Sequence, residues 1–216
     1  MNKKAGRPKV IDKNIIIDIA LNEYWTHGIN NISLSDIARI ARVSRPSIYN
    51  EFNNEDELQA EVLKRYISIQ VMPVHKNYDD YKKHPNHLAN HLNGMINDDN
   101  KLLTDDSIYN YTEEPKNRIG CLLQRSTINM FNLGPMTQSI IKDFEVYRIK
   151  QLNKYIINAQ NDGFFSKNYD SKMYAEYIYV QFSLIQMMKD NKCALSKVRN
   201  MINASLKPLT QENNFL

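Results

Sequence analysis

"SLSDIARIARVSRPSIYNEF", residues 33–52, holds two helix starts and one short break. Ser33 is placed to cap a helix. Asp36, three residues on, can answer it as a capping box, and its charge suits the positive helix end. Leu34, Ile37, Ala38 and Ala41 recur at helical spacing and make the inner face. The break "RVS", residues 42–44, ends on Ser44, a cap for the next helix. Pro46 fits that helix's first turn, where its missing amide hydrogen has no partner to lose. Ile48 and Phe52 then point inward, which leaves Arg45, Ser47, Tyr49, Asn50 and Glu51 facing outward. A helix of two turns does not persist by propensity alone. It must be held by the elements before it, and its polar face is the part on offer.

The spacing is that of a helix-turn-helix. Ala38 stands where the two helices cross too closely for a larger side chain, and Ile48 anchors the second helix. Arg42 occupies the turn position, where a positive backbone dihedral usually calls for glycine, at a cost of about 1 kcal/mol. Upstream, Asp12 to His27 reads as a helix with Ile16, Ile17, Ala20, Leu21 and Tyr24 on one face, capped by Asp12 and stopped by Gly28. Before it, Lys3, Lys4, Arg7 and Lys9 give the first ten residues four positive charges and no negative one. A basic arm ahead of a balanced body is a common grip on a polyanion.

Composition agrees with a helical protein. The 216 residues are 42% hydrophobic with six glycines and seven prolines, enough apolar content for a core and few interruptions of long helices. No apolar run approaches the roughly 20 residues of a membrane span, so a cytoplasmic location is expected. Cys121 and Cys193 are too few and too far apart for a disulfide framework or zinc ribbon and read as small buried residues. No nucleophile cluster, phosphate loop or paired carboxylates argue for an enzyme, and no cofactor or metal is expected. His84, His87 and His91 have spacings that could place two imidazoles on a metal, but no cysteine or carboxylate completes a set, and an exposed flank is the expectation.

Residues 6 to 58, from "GRPKV" through "IIDIALNEYWTHGINNISLSDIARIARVSRPSIYNEFNNEDEL", resemble the DNA-binding domain of the TetR family of bacterial regulators. "IGCLLQRS", 119–126, is similar to a stretch in the ligand domains of many members. The resemblance implies an all-α protomer: a three-helix helix-turn-helix domain (1–53) and a body of about six helices (54–216) for effector binding and dimerisation. It implies a repressor that leaves its double-stranded DNA operator when a small molecule binds. Position by position, Arg45, Ser47 and Asn50 would face the bases, and Arg7, Lys9, Ser33 and Tyr49 the phosphates. The chemistry agrees, since arginine bridges guanine and asparagine pairs with adenine, each worth about 1–3 kcal/mol of discrimination. Glu55 replaces the family's frequent lysine at the start of the fourth helix and would repel a nearby phosphate.

From Asn54 to about Val71, Leu58, Val62, Leu63, Tyr66, Ile67 and Ile69 describe a helix reaching from the reading head into the body, with Pro73 as its stop. Residues 74 to 86 read as loop, and Pro85 opens a helix bearing Leu88, Leu92, Met95 and Ile96. A long acidic loop follows. Helices are then expected over about 115–133, with Ile119, Leu122, Leu123 and Ile128 inward, and over 138–162. In "MYAEYIYVQFSLIQMM", 173–188, apolar groups lie on almost every side, so the helix is expected to bury a second face against a partner chain. Tyr177, Leu184, Ile185 and Met188, with Val198 and Ile202 of the last helix, are the candidate homodimer interface. His91, Met130, Phe131, Phe144, Tyr147 and Tyr177 are the candidates for lining an apolar effector pocket. Two other functions fit the same chain: a DNA-binding regulator or activator whose body serves only pairing, and, more remotely, an all-helical enzyme.

Overall fold

Three short helices make the head, and each begins and ends where its own sequence supplies the partner. A computed structural model describes residues 12–80, 82, 86–97 and 120–209. Helix α1 (Lys13–His27) starts at Asp12, whose carboxylate accepts from the Asn14 amide at 2.9 Å, and stops at Gly28, where φ is +94°. Helix α2 (Leu34–Ile40) has the capping box. Ser33 Oγ accepts from the Asp36 amide at 3.1 Å, and the Asp36 carboxylate accepts from the Ser33 amide at 3.2 Å and its hydroxyl at 2.6 Å. Helix α3 (Arg45–Phe52) is capped by Ser44, which accepts from the Ser47 amide at 3.2 Å. Arg42 in the turn has φ of +55°, the left-handed conformation its position demands.

Helix α4 (Glu55–Tyr66) does not end at Pro73. It widens into a π-helical turn, Ile67–Val71, and runs on through α5 (Met72–His75) and a 3-10 turn, Lys76–Asp79. A proline ring in an α-helix collides with the carbonyl four residues back. The π turn, closed by the Met72 amide on the Ile67 carbonyl, changes that register just ahead of Pro73. The segment after it, expected as loop, is therefore anchored, with His75 and Tyr78 fully buried.

The body continues with α6 (His87–Asn97), α7 (Leu122–Ile128), α8 (Pro135–Asn161), α9 (Ser171–Asp190) and α10 (Leu195–Leu206). Helix α8 packs along α9 and α4, while α6 and α10 cover α9. Residues 98–119, which include Ile119, lie outside the described residues. Leu122 and Leu123 of α7 are buried, but Ile128 is 41% exposed because the helix ends there and the chain turns away before α8. Among the described residues no helix is long and apolar enough to cross a membrane.

The apolar residues form two cores. One joins the head to the body: Ile37, Ala38, Ile48 and Phe52 share it with Leu58, Val62 and Leu63 of α4, Leu122 and Leu123 of α7, and Ile141 and Phe144 of α8. The head's core is therefore not closed at residue 53. The other core lies within the body around Leu92, Leu152, Tyr155, Ile178, Phe182 and Ile202.

The first turn of α4 is the joint between these parts. Glu55, placed in the sequence where a phosphate-binding lysine is frequent, accepts from the Leu34 amide at the start of α2 at 3.1 Å. Next to it, the Asp56 carboxylate accepts from the Met136 and Thr137 amides, each at 2.9 Å, and so caps α8. Gly134 stands directly over Asp56, and a β-carbon there would overlap the carboxylate. Two adjacent acidic residues thus hold one helix of the head and one of the body.

Candidate functional site

The outer face of α3 is free of the other described residues. Ile48 and Phe52 are fully buried beneath it, whereas Arg45 and Asn50 are exposed and Tyr49 is 41% exposed. Among the described residues no hydrogen bond or ion pair engages Arg45, Tyr49 or Asn50. Ser47 is half-buried, and its hydroxyl shares a hydrogen bond with Ser44 Oγ at 2.7 Å. Ser33 is committed in the same way, its hydroxyl donating to Asp36. Arg7 and Lys9 lie outside the described residues.

A second feature sits where the head meets the body: a cavity of about 320 Å³. Trp25 of α1, Tyr66 of α4, Gln70 and Val71 of the π turn, His91 of α6, Cys121 and Arg148 of α8 are among its walls. Trp25 Nε1 donates to the Gly120 carbonyl at 2.7 Å, and its ring meets Tyr66 edge-on with centroids 4.9 Å apart. The Tyr66 hydroxyl donates to Cys121 Sγ at 3.5 Å and accepts from the Leu122 amide at 3.3 Å. Arg125 Nη1 donates to the Trp25 carbonyl at 3.0 Å. The end of α1 is thus bound to the cavity's rim.

Arg148 is 2% exposed, and its Nε and Nη1 have no partner. The guanidinium lies over the Phe182 ring at 4.3 Å and near Phe144 and Tyr179, each at 5.9 Å. His75 is fully buried with neither ring nitrogen paired, while His91 Nδ1 shares a hydrogen bond with the Tyr78 hydroxyl at 2.7 Å. Burial, with the Arg148 charge and neighbouring imidazoles, holds His75 and His91 well below the usual histidine range. Both are neutral near pH 7.

Comparisons with known proteins bear first on the head. Residues 16–62 match the family model described as bacterial regulatory proteins, tetR family. Over that stretch the chain is similar to the N-terminal domain of the TetR family. The HTH-type transcriptional repressor ComR of Escherichia coli (strain K12) is 39% identical over 67 residues, which cover 31% of this chain and 32% of that protein. The alignment thus spans about a third of that relative's length. A TetR-family regulator from Agrobacterium tumefaciens superposes with a TM-score of 0.71 at 11% identity, covering 92% of this chain and 97% of its own. The TetR-family regulator CifR, solved with 26-base-pair operator DNA, gives 0.68 at 14% identity over 94% and 100%. At such identities these two structures establish the TetR-like all-α fold.

Within the body, His91 is the one sequence-derived pocket candidate among the cavity-lining residues named above. Phe144 and Tyr147 stand behind it, each ring packed on His75. Met130 packs against the shared core, Phe131 is 90% exposed, and Tyr177 lies on the outer face of α9. Phe131 sits on a 3-10 turn past the end of α7, so helical spacing no longer directs it inward.

Of the interface candidates, Ile185, Met188, Val198 and Ile202 belong to the body's own core, since α6, α8 and α10 cover that side of α9. The outer side carries Met173, Tyr177, Val180 and Met187 at alternating steps, all exposed, with half-buried Leu184 in the same row. Leu195 and Met201 of α10 are exposed beside it. Helix α9 thus has two apolar faces, as its sequence indicated: of the candidates on it, Tyr177 and Leu184 lie on the free face, and Ile185 and Met188 on the covered one. Trp25, Cys121 and Arg148 were not legible as cavity residues. For Arg148 a signal existed: it falls four residues after Phe144 and four before Leu152, a charge inside the inward stripe of α8. Cys121 and Cys193 are only half-buried, because Cys121 borders the cavity and Cys193 follows the end of α9.

Proposed function

We propose that this chain is a sequence-specific DNA-binding transcriptional regulator, a repressor that works as a homodimer and leaves its operator when a small molecule binds. The observation that carries the reading is the outward polar face of α3. Two fully buried apolar residues anchor that helix, and its arginine, tyrosine and asparagine have no task within the protomer. Arg45 and Asn50, with Ser47 beside them, read base edges; Tyr49 and the arm residues Arg7 and Lys9 hold phosphates. Ser33 reaches a phosphate only by releasing Asp36, so its part is mainly to fix α2. The repressor ComR, similar in the head, and the operator-bound CifR, similar in fold, support the same direction.

The apolar row of α9, continued by α10, is the surface on which two copies would pair, setting two heads at successive major grooves about 34–36 Å apart. The cavity supports an effector site, because its walls come from both head and body. A ligand that prefers one spacing of the heads shifts the equilibrium by that preference alone. A DNA-bound role implies work in the cytoplasm.

Selection from random duplexes, followed by gel retardation at two salt concentrations, tests the reading. A recovered palindrome bound with affinity that falls steeply with salt is expected. Arg45→Ala should relax preference at one position of each half-site, whereas Tyr49→Phe should weaken all sequences alike. Absence of DNA binding would end the proposal, and uniform weakening by Arg45→Ala would make that residue a backbone contact.

A further inference from the structure

An apolar effector would leave one feature of the cavity without purpose. Arg148 is buried, keeps Nε and Nη1 unpaired, and lines a cavity that has no carboxylate among the described residues of its wall. Among the described residues no ion pair or hydrogen bond reaches its guanidinium. The rings of Phe144, Tyr179 and Phe182 attract the cation without neutralising it. Burial pulls the pKa of Arg148 down, and the groups opposing that pull are the Cys121 thiol and the phenols of Tyr78, Tyr179 and Tyr66. An arginine stays charged even so. A desolvated, unpaired cation is among the costliest arrangements a protein interior can hold, and replacing it by a hydrophobic residue is often stabilising.

We propose that the cavity takes a small monocarboxylate with an apolar body, whose carboxylate pairs with Arg148; this rests on the effector-binding part of the function proposed above. The charge count selects one negative charge. His75 and His91, held neutral, add no second cation, so a dianionic phosphate would leave a net buried charge. The planar guanidinium fork matches a carboxylate in bidentate geometry. Trp25, Val71, Val74 and Met95 supply the apolar wall for the rest of the molecule. Because Trp25 belongs to α1, such a ligand touches the head itself.

The test uses the full chain without DNA. Trp25 is the only tryptophan, so its fluorescence reports directly on the cavity. Benzoate, phenylacetate and hexanoate are titrated against their primary amides and inorganic phosphate, and thermal midpoints are measured in parallel. At least one of the three acids should change the fluorescence saturably and raise the midpoint, with its amide and phosphate at least tenfold weaker. Arg148→Met should raise the midpoint of the ligand-free protein and weaken acid binding at least tenfold; Arg148→Lys should keep the preference for acid over amide at lower affinity. No response to any acid, equal response to acids and amides, tighter binding of phosphate, or a lower ligand-free midpoint in Arg148→Met would each overturn the proposal. DNA does not enter these measurements, so a protein that answers to carboxylates yet binds no duplex would refute only the regulator reading.

Discussion

The head and the body treat buried and polar groups in opposite ways. In the head, helix ends are closed by partners two or three residues away: Asp12 for α1, Ser33 with Asp36 for α2, Ser44 for α3. The polar groups left over point outward from α3. In the body, by contrast, His75, Gln124, Arg148, Gln151 and Gln181 each bury a nitrogen or oxygen with no partner, and among the described residues of the head only Asn22 and Tyr24 resemble them. Buried polar groups are normally paired, and an exception calls for an explanation in strain or function. The head closes its helix ends locally, and the body leaves several buried polar atoms open.

Acid should expose this difference most strongly. In the fold His75 and His91 refuse protons that the unfolded chain accepts below the usual histidine value of 6.5. Stability is therefore full above about pH 6.5 and falls as the pH drops toward the folded values, by up to about 1.4 kcal/mol per pH unit for each imidazole. Urea unfolding between pH 7.5 and 5.5 should show the decline, and His75→Phe should remove roughly half of it. A flat profile over that range would mean that these imidazoles are not held neutral. Asp56, whose carboxyl burial pushes up but whose bonds from Thr137 and the Met136 and Thr137 amides bring below the usual range, acts only in the carboxylate window near pH 4 and lower.

The joint comes next in size. Asp56→Ala removes two amide acceptors at the start of α8 and should cost about 1–2 kcal/mol, reduced by the solvent on one side of the carboxylate. Gly134→Ala should cost a comparable amount, since its β-carbon forces the same carboxylate aside. Chemical denaturation would read both, and an unchanged midpoint in Asp56→Ala would show that α8 does not depend on this cap. The smallest effect belongs to the head's one departure from its own rules. Arg42→Gly should relieve the positive dihedral and stabilise by up to about 1 kcal/mol, visible as a modest rise in thermal midpoint; a fall would show that the arginine side chain contributes more than its backbone costs.

What could be read beforehand follows the same division. The head was legible because its partners are local: capping serines, the glycine stop and the apolar pair Ile48 and Phe52 lie at fixed spacings. The second apolar face of α9 was legible too, since groups on every side of a helix need two covers. Which face belongs to the protomer was not, because that depends on where α6, α8 and α10 pack. The cavity was least legible. Trp25, Cys121 and Arg148 are far apart in the chain. The structural role of Glu55 was hidden for the same reason: its partner, the Leu34 amide, lies 21 residues away.

The pair Glu55 and Asp56 has a mechanical corollary. Neighbours on one peptide, they grip the first turns of α2 and α8, so a small tilt at the foot of the long helix has a polar route to the recognition motif beside the apolar core the two parts share. None of the groups in that linkage lines the cavity, so the cavity's side chains can differ without loosening it.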